Sequence, residues 1–321
     1  MASNISSKSS FFGKKTVSSI ILITLFLVLP LIVSVYEVMD SQKPVEDVEP
    51  VIVQDIPVTP SSIRAILASH NYDLDEVRRG HTGVPELFFE SIPDELPGIK
   101  NANERKEIFI SVILPLILKV NDDIVADREL LSEIMFTREF SGEFKDADRI
   151  WLQQKMKQYM IKGFDIPALY SRMNIIPPSL AITQAAIETG WGTSRFATEA
   201  NALYGQWTWD EDSGMVPLQR EAGKTHRIKM FRDLMSAVRG YALNLNTHSA
   251  YEDFRVERGK FENPEDIKVT DLLITLIFYS ELGFEYIDRL NGIIRVNKLE
   301  QFDHATLQAL PITEARLDLA P

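Results

Sequence analysis

The chain contains no cysteine in its 321 residues, which excludes disulfides, thiol nucleophiles and thiolate metal sites. Basic residues are also in short supply. The 34 lysines and arginines stand against 46 aspartates and glutamates, for a formal net charge of −12, and basic runs interleaved with aromatic residues are absent. This charge balance argues against a nucleic acid as partner.

Several common catalytic motifs are missing as well. The 5 histidines do not show the His-Glu-x-x-His spacing of zinc hydrolases. The sequence has neither a Gly-x-Ser-x-Gly nucleophile elbow nor a Gly-x-x-x-x-Gly-Lys-Ser/Thr phosphate loop. We therefore expect no metal and no cofactor.

Residues 17–36 form an uncharged, mostly apolar run that is long enough to cross a bilayer as a helix. Lys8, Lys14 and Lys15 precede it, so the positive-inside rule keeps the amino terminus in the cytoplasm and exports the rest of the chain. A cleavable signal peptide is the alternative. Residues 35–38, Val-Tyr-Glu-Val, lack the small residues of a cleavage site, which favours an uncleaved anchor.

The composition changes along the chain and predicts five regions. Before the folded part we expect a cytoplasmic tail with the anchor in residues 1–40 and an extended, proline-rich and acidic spacer in residues 41–60. After the spacer we expect a helical extension in residues 61–165, a domain in residues 166–310 and a tail in residues 311–321, with weak order from Leu307 onward.

Helical hydrophobic spacing dominates the two folded regions and indicates a mainly α fold. Two long helices are expected in the extension, one from about Asn103 with a kink at Pro115 and one from about Asn121. A third helical pattern covers residues 147–161, and further patterns follow after residue 233. The charged faces of these helices are most simply their solvated sides.

Residues 177–192 are the most informative stretch, an almost wholly apolar segment with one acid near its end. Ser179 is placed to cap the first turn of a helix, and Gly190 to end it in the left-handed conformation. Glu188 then lies in the last turn, where the helix dipole and apolar surroundings raise the pKa of its carboxyl. A carboxyl that stays protonated near neutral pH suits a general acid. From the residues alone, a solvated glutamate at a helix end is an open alternative.

Residues 206–231 are the only strand-like region of any size, and they predict a small β-hairpin lobe. A cleft between a helical body and this lobe would place Glu188 opposite acidic residues, as hydrolysis of a glycosidic bond requires. Trp191, Trp207 and Trp209 have the flat apolar faces that stack on sugar rings, although each could equally belong to the core.

Three segments together carry a resemblance to a known family: residues 185–192, Ala-Ala-Ile-Glu-Thr-Gly-Trp-Gly; residues 201–205, Asn-Ala-Leu-Tyr-Gly; and residues 239–251, which end in Tyr251. This sequence resembles the bacterial glucosaminidases of glycoside hydrolase family 73. The segment from Asn103 to Pro115 resembles the membrane-anchored Bax-type branch, which is unrelated to the apoptosis regulator of that name. The family match covers residues 171–258, and the branch resemblance extends to about residues 70–310.

The resemblance implies a lysozyme-like helical body with a β-lobe, and an endo-β-N-acetylglucosaminidase that cleaves peptidoglycan strands outside the bacterial inner membrane. Glu188 falls on the family's general acid, and Tyr251 on the tyrosine that orients the acetamido group or the water. Substrate contacts are expected from Asn201 and Tyr204 besides the three tryptophans. The family's second acid lies in the β-lobe, where Glu221 is best placed and Asp210, Glu211 and Asp212 are its rivals.

The chain departs from the family at Asn201, because the family's Asn-Leu-Phe-Gly block is one residue longer here. Two other functions stay open on the sequence: a muramidase or lytic transglycosylase of lysozyme-like fold, and a catalytically silent glycan-binding scaffold. An inverting mechanism would require about 6.5–9.5 Å between Glu188 and its partner carboxylate, a retaining one about 5 Å, and an acetamido-assisted one no partner carboxylate.

Overall fold

The computed structural model describes residues 51–52, 60–93, 96–208, 210, 214–216, 227–261, 263 and 266–310. The predicted anchor at residues 17–36 and the tail at residues 311–321 lie outside these ranges. Within them, none of the helices combines the length and the apolar character needed to span a membrane.

The described chain is mainly helical, as the hydrophobic spacing predicts. Its α-helices are α1 (Pro60–Ser69), α2 (Leu74–Arg78), α3 (Ala102–Ser141), α4 (Asp146–Gln158), α5 (Ile166–Arg172), α6 (Pro178–Thr189), α7 (Arg195–Ala200), α8 (Leu234–Thr247), α9 (Glu252–Arg258), α10 (Val269–Leu273) and α11 (Phe284–Val296). The strands are short: β1 (Val51–Ile52), β2 (Val84–Pro85), β3 (Leu87–Phe88), β4 (Trp207–Thr208), β5 (Gly214–Met215), β6 (Arg227–Lys229) and β7 (Leu307–Gln308).

Helix α3 is one continuous helix of 40 residues, so the prediction of two separate helices was wrong. The side chain of Asn101 caps its first turn by accepting hydrogen bonds from the backbone N–H groups of Asn103 and Glu104. Asn121 does not begin a helix. Its side chain bonds instead to both backbone groups of Ile176, at 3.0 and 2.8 Å, and so ties the middle of α3 to the segment before α6.

Helix α6 lies at the centre of the packing and contacts α3, α11 and the short turn at Leu299–Phe302. Its buried residues include Ala181, Ala185 and Ala186, whose small side chains let neighbouring helices approach closely. Since α3 belongs to the predicted extension and α6 to the predicted domain, the two regions share one hydrophobic core.

The first turn of α6 is capped from a distant segment, so the prediction that Ser179 itself caps the helix was wrong. The carboxylate of Asp303 accepts hydrogen bonds from the backbone N–H and the hydroxyl of Ser179, both at 2.7 Å. A carboxylate at this position satisfies a free amide and complements the positive end of the helix dipole. Burial raises the pKa of Asp303 to about 6, against the effect of these two hydrogen bonds.

We expect Asp303→Ala to lower the free energy of unfolding by about 1–2 kcal/mol at pH 4, where the buried carboxyl is protonated and its raised pKa contributes little, because a free amide of α6 loses its partner. Urea unfolding followed by tryptophan fluorescence measures the change. Asp303→Asn keeps one acceptor oxygen and serves as the matched control, with a smaller expected loss. Equal stabilities for the alanine variant and the unchanged chain would show that the carboxylate does not cap α6.

The predicted small β-lobe is present as a three-stranded antiparallel sheet in the order β4-β6-β5. Strands β5 and β6 pair across residues 217–226, as the sequence predicts. Strand β4 pairs with β6 and not with its sequence neighbour β5, so Ile228 of β6 lies opposite both Trp207 and Met215. Elsewhere β1 pairs with β3 and β2 with β7, both in parallel. The prediction of weak order from Leu307 onward was therefore wrong at β7, which pairing with β2 holds in place.

Candidate active site at the end of helix α6

Glu188 is half-buried in the last turn of α6, and Gly190 ends the helix in the left-handed conformation, as predicted. Gly205 lies directly over its carboxyl group. A methyl group placed on Gly205 would come within 2.8 Å of Oε2 of Glu188, and the backbone of Gly205 has a φ of +59°. The Asn-Ala-Leu-Tyr-Gly block therefore contributes a glycine where the chain passes closest to the acid.

The electrostatics of Glu188 are those of a general acid near neutral pH. Burial raises the pKa of its carboxyl to about 7, and a hydrogen-bonding interaction with Tyr286 opposes the rise. The raised pKa agrees with the sequence prediction. Because this pKa is close to neutrality, protonated and ionised forms of Glu188 both exist in quantity there, as proton donation and its reversal require.

Five tyrosines form a cluster beside Glu188: Tyr204, Tyr241, Tyr251, Tyr279 and Tyr286. Tyr204 stacks on Tyr241 with 3.8 Å between ring centroids, and Tyr279 stacks on Tyr286 at 5.5 Å. The Tyr279 hydroxyl donates to the backbone oxygen of Tyr204 at 3.1 Å, which joins the two stacks. These contacts bring residues from α8, α11 and the loop between α7 and β4 to one place.

A chain of hydrogen bonds connects Tyr241, Gln184 and Tyr286 within this cluster, and Tyr286 lies beside Glu188. The Tyr241 hydroxyl donates to Oε1 of Gln184 at 2.6 Å, and Nε2 of Gln184 donates to the hydroxyl oxygen of Tyr286 at 3.0 Å. Tyr286 in turn interacts with the Glu188 carboxyl. Gln184 is completely buried and lies one helical turn before Glu188, on the same face of α6.

Tyr251 is brought close to Glu188, on the short turn Ser249–Tyr251 that follows α8. Burial raises the pKa of its phenol, the negative charge of Glu188 raises it further, and a hydrogen bond with Asn244 opposes both. The hydroxyl of Tyr251 therefore keeps its proton at neutral pH. Its role toward a substrate stays a prediction.

The predicted substrate contacts have different surroundings. Trp207 is 54% exposed on β4, whereas Tyr204 is buried in its stack on Tyr241. Asn201 uses its side-chain amide to hold the backbone oxygens of Phe231 and Arg232, at 3.4 and 3.3 Å. Their contacts with a sugar stay predictions.

Trp191 faces away from the tyrosine cluster. Its ring meets the edge of Phe109 at 5.8 Å between centroids, and the Lys106 ammonium lies 5.1 Å from its ring centroid. It lines a groove of about 480 Å³ together with Ile187 and residues of α11. A sugar stacked on Trp191 would therefore occupy this groove.

Trp209 and three of the four candidate second acids, Glu211, Asp212 and Glu221, lie outside the described residues. The fourth, Asp210, is exposed after β4, and its backbone N–H donates to the hydroxyl of Thr208 at 3.2 Å. In the described ranges, no three histidine, aspartate or glutamate side chains come together as a metal site would require.

The sequence did not single out Tyr279 or Tyr286 as members of this site. Both fall in segments with helical hydrophobic spacing, where an aromatic residue is most simply part of the core, and Tyr286 is indeed buried. Their position beside Glu188 depends on how α11 packs against α6. This packing cannot be read from the sequence of either segment alone.

Comparison with known proteins adds an independent finding. The Glucosaminidase family model, described as mannosyl-glycoprotein endo-beta-N-acetylglucosaminidase, matches residues 166–299. The chain is 31% identical over 215 residues to Protein bax of Escherichia coli (strain K12), an alignment that covers 65% of this chain and 75% of that protein. No solved structure matches the chain.

Proposed function

Because the chain belongs to the glucosaminidase family, as a member of its Bax-type branch, we propose that it is a peptidoglycan hydrolase with Glu188 as its general acid. The activity that we propose is that of an endo-β-N-acetylglucosaminidase, which cleaves the glycan strand after N-acetylglucosamine. The fold would then be a lysozyme-like helical body with a β-lobe, built around helix α6.

One observation carries the proposal: a half-buried carboxyl with a pKa of about 7 stands at the end of α6, next to a tyrosine cluster and a β-sheet. Glycosidic cleavage begins when such an acid protonates the oxygen that leaves the anomeric carbon. Glu188 donates this proton and remains as a carboxylate while positive charge develops on the sugar. Either a carboxylate of the β-lobe or the substrate's own acetamido group then stabilises that charge.

Tyr251 serves this reaction as a fixed hydroxyl beside the acid. It is buried against Tyr279, at 5.9 Å between ring centroids, and interacts with Asn244, so its orientation is held before a substrate binds. In the proposed reaction this hydroxyl orients the acetamido group or the attacking water. Both are uncharged groups that a neutral phenol can bind by a hydrogen bond.

We further propose that residues 17–36 anchor the protein in the bacterial inner membrane, with the catalytic part on the periplasmic side. The support is the uncharged run itself and the three lysines before it, Lys8, Lys14 and Lys15. Peptidoglycan lies on that side of the membrane, and the part of the predicted spacer that precedes β1, residues 41–50, would give the catalytic part reach toward it.

Product analysis tests the proposed activity. The full chain, purified in mild detergent, is incubated with isolated peptidoglycan, and the released fragments are identified by mass spectrometry. We expect N-acetylglucosamine at the reducing ends, and release that is about a thousand-fold slower from the Glu188→Gln variant. Reducing-end or anhydro N-acetylmuramic acid would instead identify a muramidase or a lytic transglycosylase, and binding without any release would identify a scaffold.

A further inference from the structure

Two hydrogen bonds behind Glu188 lead from Tyr241 through Gln184 to Tyr286, the residue that interacts with its carboxyl. We propose that Gln184 and Tyr241 are positioning residues that make the Tyr286 hydroxyl a donor to Glu188 and so fix which oxygen carries the transferable proton. The direction of the hydrogen bonds follows from the structure, whereas the transfer of that proton to a glycan rests on the proposed function.

Tyr241 is the first donor in the chain of hydrogen bonds. Oε1 of Gln184 has no proton, so in the 2.6 Å bond the hydroxyl of Tyr241 must be the donor. This bond sets the orientation of the Gln184 amide, whose other end, Nε2, then faces Tyr286. The amide nitrogen has protons and no available lone pair, so it donates to the Tyr286 oxygen at 3.0 Å.

Tyr286 is left with a single proton, and its oxygen already accepts from Gln184. That proton is therefore free to point at Glu188, whose interaction with Tyr286 lowers the pKa of the carboxyl against the larger effect of burial. The opposite amide orientation would place Oε1 of Gln184 against Tyr286. Tyr286 would then donate to Gln184, and Glu188 would lose its donor.

Burial of all three side chains favours one direction of these hydrogen bonds. Gln184 is 0% exposed, and Tyr241 and Tyr286 are each 1% exposed, so bulk water does not compete for their polar atoms. The stacked neighbours Tyr204 and Tyr279 hold the two tyrosine rings in place. In such surroundings an unsatisfied donor or acceptor is unfavourable, so the whole chain is expected to keep one arrangement.

The Tyr286 hydroxyl affects Glu188 both before and after the proton transfer in the proposed reaction. An oxygen that accepts from Tyr286 is a poor place for a proton, so in the acid form the proton lies on the other oxygen. That proton passes to the glycosidic oxygen, the bond from this oxygen to the anomeric carbon breaks, and its electron pair stays with the oxygen. Glu188 is left as a carboxylate whose negative charge meets the Tyr286 proton, which stabilises the charge when it forms.

The titratable groups that face Glu188 in the described part of the chain are tyrosines. Tyr286 comes from α11, Tyr251 from the turn after α8, and Tyr279 from the segment before α11; Gly205 adds only backbone. Burial raises the pKa of all three phenols, so they keep their protons through the neutral range. Among these facing groups, the ionisation measured near neutral pH thus belongs to Glu188.

A measurement without substrate tests the hydrogen-bond direction. The difference in free energy of unfolding between the full chain and its Glu188→Gln variant is recorded from pH 4 to pH 9, and it changes where Glu188 ionises. The same pair is then compared in a Tyr286→Phe background. We expect the ionisation to move upward by about one pH unit, because the ionised form loses its donor.

Tyr241→Phe is the more demanding variant, since Tyr241 bonds to Gln184 and not to Glu188. Without its hydroxyl, the Gln184 amide can turn over and take the Tyr286 proton. We expect an upward shift of the Glu188 ionisation in this variant too, smaller than in Tyr286→Phe. Tyr72→Phe is the matched control, because Tyr72 is a buried tyrosine outside the site whose hydroxyl has no hydrogen-bond partner, and it should give no shift.

A turnover assay on peptidoglycan adds the second readout. For Tyr286→Phe and Tyr241→Phe we expect kcat to fall while KM is retained, and the alkaline limb of the pH profile to move upward with the ionisation. Unshifted ionisation in a folded Tyr241→Phe variant, or a downward shift in Tyr286→Phe, would overturn the proposal. Shifts without any glycan cleavage would leave the hydrogen-bond direction standing and refute the proposed function.

Discussion

Replacing Glu188 with glutamine is expected to slow peptidoglycan cleavage by about a thousand-fold, within the range that a positioned general acid contributes. Glutamine has nearly the same shape and keeps an oxygen that can accept a hydrogen bond from Tyr286, but its amide has no acidic proton to give. The substrate should still bind, so the loss is expected in kcat. The measurement is the initial rate of fragment release from purified peptidoglycan.

Glu188→Gln should also have a higher free energy of unfolding than the unchanged chain, but only at high pH. Burial raises the pKa of Glu188 from 4.5 in a solvated chain to about 7 in the folded protein. At about pH 4 the carboxyl is protonated in both states and adds no difference, whereas above pH 7 it is ionised in both and the folded state is destabilised. Glu188→Gln removes this destabilisation, so we expect a gain on the order of 2 kcal/mol at pH 8 and almost none at pH 4.

Glu133→Gln is the matched control, because it makes the same chemical change at an exposed position of α3. It should leave the cleavage rate unchanged. Cleavage at the normal rate by Glu188→Gln would refute its role as the acid. A stability gain that is independent of pH would show that the gain does not come from ionisation.

Gly205→Ala is expected to reduce activity by about a hundred-fold, because a small displacement of a catalytic group has an effect of that size. The new methyl group would lie 2.8 Å from Oε2 of Glu188, closer than two such atoms can approach. The carboxyl must therefore rotate or the loop must move. The left-handed backbone of Gly205 adds a loss of about 1 kcal/mol in stability, since side chains disfavour that conformation.

Gly142→Ala separates these two effects. Gly142 also has a positive φ, +79°, at the end of α3, but a methyl group there would meet nothing within 4 Å. It should lose similar stability in urea unfolding and keep full activity. If both alanine variants lost activity equally, the loss would come from backbone strain and not from the contact with Glu188.

Much of the helix that carries the acid could be predicted from local sequence. Its end at Gly190, its apolar character and the position of Glu188 in the last turn all follow from neighbouring residues. Its start could not be predicted correctly, because the partner of Ser179 is Asp303, 124 residues further along the chain. A cap that comes from so far away leaves no mark near Ser179.

The hydrogen-bond chain behind Glu188 shows the same limit. Gln184 and Tyr286 are 102 residues apart, and each looks like an ordinary helix residue in its own segment. Helix α3 gives the opposite error, because Asn121 has the local properties of a helix start. The helix continues through this position, and the Asn121 side chain bonds to Ile176.

The capping of α6 by Asp303 has a consequence for the order in which the protein becomes active. A growing chain leaves the ribosome amino terminus first, so Glu188 emerges 98 residues before Tyr286, and Ser179 emerges 124 residues before Asp303. Until Tyr286 and Asp303 have followed, Glu188 lacks its neighbouring hydroxyl and its helix lacks a cap. Under the proposed function, a partly synthesised or partly exported chain therefore holds Glu188 without a working site, and hydrolysis begins only when the molecule is almost complete.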